Sequence, residues 1–396
     1  MKLTHPISLL LCFPFLIIGL SACKKDSGNT NPYAKIQETF GTRIDPTNLA
    51  NYANQGKPTY ITNDNTAGNN ITDPKATLGR VLFYDKNLSI NNTTSCGSCH
   101  LQKFAFGDTA LASLGVENGR TGRHSMRLIN ARFSEEVKFF WDERAATLEE
   151  QTTKPIQDHA EMGFSGQNGR PNLSALLAKL QGIGYYQELF QFVYGDQTVT
   201  EPRLQECLSQ FVRSIQSFDS KYDAGRSSVT ADNQNFPNFS QQENTGKGLF
   251  QTNAQFNPGG VRVGGGLGCG SCHAAPEFAI ARNSGNNGII GVLNGTGIDI
   301  NNTKAPSLRD LVGIDGNPNT PMMHTGGIRT LQALIGHYGQ INIAAGNTRL
   351  DPRLTPNGIG QQLNLNQTEV NAVMAFLKTL TGTAVYTDAR WSDPFQ

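Results

Sequence analysis

Cys96-Gly97-Ser98-Cys99-His100 and Cys269-Gly270-Ser271-Cys272-His273 are two copies of one pentapeptide, and the fold follows from how they are read. Two thiols two residues apart, with a histidine directly after the second, form the signature for covalent attachment of haem c. The thiols add to the two vinyl groups of a porphyrin, and the adjacent imidazole is held where it ligates the iron. Thiol-disulfide motifs share the Cys-x-x-Cys part, and zinc sites share paired Cys with His. Neither requires the histidine in that place, twice, in a chain of 396 residues with only 7 cysteines. Two covalently bound haem c groups are expected, with His100 and His273 as iron ligands.

The other three cysteines read differently. Cys12 lies in a short apolar run, residues 7–20, that follows Lys2 and is interrupted by Pro14. Such a run is too short for a transmembrane helix and suits a signal peptide, assigned to residues 1–22. Leu20-Ser21-Ala22-Cys23 resembles a bacterial lipobox, which makes Cys23 a lipid anchor and residues 23–70, rich in Asn, Thr, Gly and Lys, a flexible tether. The expected location is the bacterial cell envelope, facing the periplasm and held to the membrane by lipid only. Cys207 falls among Leu204, Leu208, Phe211, Val212 and Ile215 at helical spacing, where it reads as a small buried apolar side chain. A net charge of +1 gives no whole-chain bias toward nucleic acid.

Wide separation of the two motifs, and the chain length, favour a helical domain around each. Before the first, Asp73-Pro74 reads as N-cap and N1, with Leu78, Val81 and Leu82 on one face. Before the second, residues 240–250 make a similar helix. Closing helices are expected over residues 204–215 and over 366–380, the latter opening on a capping box of Asn366 with Glu369. The fold class is all-α: two cytochrome c-like helical domains, residues 71–235 and 236–396, each with one covalent haem, long loops and little strand. The last residues are expected to pack back on the first domain.

Further strings narrow this. Phe140-Trp141-Asp142-Glu143-Arg144-Ala145 is followed by Gln151, Pro155 and Glu161-Met162, and later by Pro306-Ser307-Leu308-Arg309 and Met323-His324-Thr325-Gly326. With the haem motifs, these make the chain similar to the bacterial di-haem cytochrome c peroxidases, a family that includes MauG-type enzymes. The resemblance covers roughly residues 70 to 390. It implies a peroxide site at the haem of His100 and an electron-relay haem at His273. It also implies that Trp141 lies between the haems, that Glu161 moves the proton in peroxide cleavage, and that Gln151 hydrogen-bonds in the same pocket.

Two departures from the family pattern matter. Many members place a histidine in the loop matching residues 114–120, where it caps the peroxide haem; this stretch has none. His124 stands instead where relatives usually have an Asn associated with an interdomain calcium, so calcium is put in question and His124 becomes an alternative ligand of that haem. The second departure lies fourteen residues after His324, where related peroxidases commonly carry a Met that ligates the relay haem. Here the position is Tyr338, as in MauG-type members, with Met322 and Met323 as the fallback ligands. A helix over residues 328–338 would turn Tyr338 inward and His337 away.

The leading expectation is therefore a peroxidase that reduces hydrogen peroxide with electrons from a small c-type cytochrome or cupredoxin. The alternatives are a MauG-like oxidase of side chains on a partner protein and a non-enzymatic electron carrier. Relatives that dimerise leave a homodimer among the expected assemblies.

Overall fold

The computed structural model describes residues 1–3, 31–293 and 295–396. Among these the architecture is helical with little strand. The helices run α1 Ala34–Phe40, α2 Asp73–Tyr84, α3 Cys96–Cys99, α4 Leu148–Gln157, α5 Leu173–Gln181 and α6 Gly184–Tyr194. They continue as α7 Glu201–Ser214, α8 Lys221–Arg226, α9 Gln241–Gln251, α10 Leu331–Gly339 and α11 Gln367–Lys378. One antiparallel pair, β1 Ala254–Phe256 with β2 Arg262–Gly265, precedes the second haem motif. No described helix is long and apolar enough to cross a membrane.

Two helix crossings organise the chain, and both use the same device. α2 buries Leu78, Val81 and Leu82 against Leu204, Leu208 and Phe211 of α7. A β-carbon on Gly79 would fall 2.0 Å from the carbonyl oxygen of Cys207, so only glycine lets these backbones meet. α9 crosses α11 in the same way, with Gly246 placed so that a β-carbon would lie 1.9 Å from the oxygen of Ala372. Capping boxes start α9 (Ser240 with Glu243) and α11 (Asn366 with Glu369), satisfying N–H groups that a first turn leaves free. Cys207 is fully buried in the first crossing.

Buried apolar side chains fall into two clusters. One gathers residues between Ile36 and Ile215 together with Val385, Tyr386 and Trp391; the other runs from Tyr222 to Leu380. The handover lies between Ile215 and Tyr222, ahead of the expected boundary at 235, because the Tyr222 ring packs on Phe278 (5.0 Å) and Phe376 (6.4 Å). The 384–395 segment lies along the first cluster: Tyr52 Oη donates to Arg390 O (2.7 Å) and Tyr84 Oη to Trp391 O (2.6 Å).

Three expectations need correction. Residues 31–70 are not a tether. Ile36, Phe40 and Tyr52 are fully buried, the Phe40 ring sits between Tyr185 (5.3 Å) and Phe395 (5.0 Å), and Glu188 accepts the N–H groups of Lys35 and Ile36. Each such side chain contributes about 1.5–3 kcal/mol of burial, without needing any periodicity. The N-cap of α2 is Thr72, whose side chain accepts from Lys75 N, because Asp73 is engaged by the N–H groups of Tyr52 and Ala53. α10 begins at Leu331 after the N-cap Thr330, three residues late, since Ile328 pairs with Met322 in an extended bridge. Cys23 and nearly all of the signal segment lie outside the described residues.

Candidate functional site

Each Cys-x-x-Cys-His motif opens onto its own cavity. Cys96 to Cys99 form a single turn of α3, and Cys269 to Ser271 a 3-10 turn. In both, the histidine Nδ1 is tied to a backbone carbonyl a few residues on: His100 to Phe106 O (3.0 Å) and His273 to Phe278 O (3.2 Å). That bond places the proton on Nδ1 and leaves Nε2 as a lone-pair donor. Burial lowers the pKa of His100 and takes that of His273 down to about 4, against the pull of those carbonyls, so both rings are neutral as a metal ligand must be. Burial also pushes the Cys96, Cys99 and Cys269 thiols up to about 12, unlike the electropositive settings that create reactive thiolates.

The cavity beside His100 measures about 830 Å³ and that beside His273 about 450 Å³. Both are within the range that encloses a cofactor. Phe83, Leu208 and Val212 wall the first, and Phe250, Leu267 and Leu377 the second. Two thiols, one oriented imidazole and an apolar wall fit a haem c in each.

Glu161 and Gln151 line the larger cavity with His100. Gln151 is carried by α4, which contains Pro155 and ends at Gln157, where the Asp158 N–H donates to Pro155 O. In the turn that follows, Asp158 Oδ1 accepts the N–H groups of Ala160 (2.8 Å) and Glu161 (3.1 Å) and so fixes the Glu161 backbone. Burial, with Asp158 adding its charge, raises the Glu161 carboxyl to about 7, while Arg144 opposes. A carboxyl that ionises near neutral pH can both take and give a proton.

Trp141 lines both cavities. Its Nε1 donates to His124 O (2.7 Å), His124 N donates to His324 O (2.7 Å), and the Trp141 and His324 rings stand 6.2 Å apart. His124 is buried at this wall with Nδ1 donating to Ala110 O (2.9 Å) and Nε2 without a partner. Tyr338, Met322 and Met323 all line the smaller cavity with His273. The Asn287 amide reaches Met323 Sδ (2.9 Å) and Tyr338 Oη (3.5 Å), so the alternative ligands sit side by side. Burial pushes the Tyr338 phenol up to about 12. His337 faces elsewhere, onto Asn287 O (2.9 Å).

Other charged residues of these cavities carried no role in the sequence reading. Arg144 lies over the Phe140 ring (3.6 Å) and faces the larger cavity. Arg127 and Lys304 line both.

Residues 73–229 match the family model described as di-haem cytochrome c peroxidase. The chain is 29% identical to a methylamine utilization protein MauG of Methylophilus methylotrophus, over 80% of this chain and 85% of that protein. It is 28% identical to a cytochrome c551 peroxidase of Nitrosomonas europaea, over 78% and 80%. Among solved structures, a MauG-like protein associated with microbial copper homeostasis superposes with TM-score 0.66 at 26% identity, covering 87% of this chain and 99% of that one. The diheme peroxidase BthA Y463M variant of Burkholderia thailandensis shares the fold at TM-score 0.61 and 21% identity, over 85% and 93%. With two Cys-x-x-Cys-His motifs each opening on its own cavity, the chain is similar over most of its length to di-haem cytochrome c peroxidases and MauG proteins.

Proposed function

We propose that this oxidoreductase carries two covalently attached haem c groups, one in each of two helical domains, and reduces hydrogen peroxide in the larger cavity with electrons relayed through the smaller. The observation that carries this reading is Glu161, a carboxyl poised near neutral pH inside the cavity that His100 enters. Haem bound there supplies one-electron redox chemistry and an iron able to take peroxide.

The chain's own residues do the rest. Cys96 with Cys99, and Cys269 with Cys272, hold the two groups by thioether bonds. His100 and His273 present neutral Nε2 atoms, each oriented by its Nδ1 bond. The Glu161 carboxylate takes the proton from the near peroxide oxygen and returns it to the far one, which leaves as water. Gln151 orients the peroxide by hydrogen bonding. Trp141, in the wall shared by the cavities, offers an oxidisable ring between them. The donor is a small c-type cytochrome or cupredoxin, and the chain works facing the periplasm on a lipid anchor at Cys23.

A second reading, MauG-like oxidation of side chains on a partner protein, is favoured by Tyr338 at the wall of the smaller cavity. Tyr338, having lost its proton, would stabilise ferric iron there and make that haem a weak electron donor. Steady-state turnover of hydrogen peroxide with a reduced cytochrome tests the choice. Sustained turnover supports the peroxidase; rapid reaction with peroxide but no turnover of donor sinks it in favour of the second reading.

A further inference from the structure

Four consecutive residues, His124 to Arg127, line both cavities, and two of them hold buried polar atoms with nothing to bond. Arg127 is only 7% exposed. Its Nη2 donates to Ser307 O (3.0 Å), its Nε has no partner, and no carboxylate of the described residues forms an ion pair with it. A buried guanidinium without a counter-ion costs several kcal/mol, so its place needs an anion. Burial lowers the Arg127 pKa to about 10, with more distant Asp310 and Tyr386 opposing.

Its stem is fixed as well. A β-carbon on Gly107 would lie 2.9 Å from Arg127 Cγ, so the stem packs where any side chain at 107 would stand. Gly107 directly follows Phe106, whose carbonyl orients His100. The other orphan, His124 Nε2, is an acceptor because Nδ1 carries the proton toward Ala110 O, and an acceptor repels a carboxylate. Arg123, Arg144 and Arg353 also line these cavities but are held in ion pairs with Asp142, Asp299 or Asp351, which leaves Arg127 as the forked donor without a carboxylate among the described residues.

Resting on the haem reading above, we infer that Arg127 is a positioning residue that binds a haem propionate at the wall between the two cavities. Propionates are the anionic groups that haem brings to an apolar cavity. A cation paired there stabilises the carboxylate and, by its charge, favours the ferrous over the ferric state. It thereby links the edge of a haem to the stretch that also carries the Trp141 acceptor, His124 O.

The test is redox titration of the full-length holoprotein and its Arg127→Met, Arg127→Gln and Arg127→Lys variants, after intact mass has counted the haems. Two haems are expected in each. At a fixed potential, Arg127→Met should lower the ferrous-to-ferric ratio of at least one haem tenfold or more, about 59 mV for one electron. Its potential should also acquire a pH dependence near neutrality as the freed propionate titrates. Arg127→Lys should recover most of the shift, since the charge returns. If Arg127→Met does not mature, Arg127→Gln carries the same expectation. Potentials and pH slopes matching wild type in the neutral variants overturn the inference while leaving the function standing. A shift that lysine does not recover at all marks a packing role and overturns it too. A wild-type chain without covalent haem overturns the function and this inference together.

Discussion

The two halves of the molecule are alike on one side of their cavities and unlike on the other. Each half crosses two helices through a glycine laid on a carbonyl, Gly79 on Cys207 and Gly246 on Ala372. Each ties its motif histidine to a phenylalanine carbonyl. Away from the motif, the larger cavity carries Glu161 and Gln151, while the smaller carries Tyr338, Met322 and Met323. On the function proposed above, one half would offer space and a proton-transfer group, and the other ligands that close an iron to substrate. On that reading the shared side sets attachment, and division of labour comes from the unshared side.

The sharpest way to break the comparison is to remove one motif. Cys96→Ala with Cys99→Ala should lower the intact mass by one haem and abolish peroxide turnover; Cys269→Ala with Cys272→Ala should lose the other haem and keep the first peroxide reaction. Haem extractable into acidified solvent from either would contradict covalent attachment. Next in size, Glu161→Gln should slow reaction with peroxide by roughly 10²–10⁴ in stopped flow, with both haem spectra retained. The reactive form of Glu161 is the carboxylate and its pKa lies at about 7, so the wild-type rate should rise with pH through that value and level off above it. A pH profile that survives Glu161→Gln would assign the proton to another group.

Smaller effects probe what the halves share. Gly79→Ala and Gly246→Ala each force a methyl group into a carbonyl and should cost about 1–3 kcal/mol in denaturant unfolding. If one is tolerated, that crossing is looser than its counterpart. Smallest in energy, yet informative, is Tyr338→Met. It should raise the potential of the haem on His273 and bring up the weak band near 695 nm, a rough general marker of axial Met, which the wild type should lack. That band in the unsubstituted protein would give Met322 or Met323 the place and draw the chain toward ordinary peroxidases.

Much of this was readable from residues because it rests on local chemistry. The pentapeptides, Asn366 with Glu369, and the apolar faces of α7 and α11 all act within a few positions. What escaped depends on partners distant in sequence. Phe40 and Tyr52 sit in no periodic pattern and are buried only because Tyr185, Phe395 and Arg390 arrive from elsewhere. Asp73 looked like an N-cap until Tyr52 and Ala53 claimed its carboxylate. The family strings pointed to Trp141, Glu161 and Tyr338, which the structure sets on the cavity walls. Arg127 was not, since nothing in its neighbours tells that its guanidinium lacks a counter-ion.

The 384–395 segment has a consequence for the order in which the two halves can close. Trp391 and Val385 complete the core that surrounds the first pentapeptide, and Gln102, two residues beyond His100, donates to Val385 O (3.1 Å) and Asp388 O (3.0 Å). A chain delivered N-terminus first presents Cys96 and Cys99 well before residues 384–395, which complete the core beside them, although domains usually fold as they emerge. On the exported, haem-binding reading proposed above, that edge would stay open beyond the membrane until the trailing half arrives, leaving the first thiols within reach of a porphyrin. The half delivered first is the last whose core is complete.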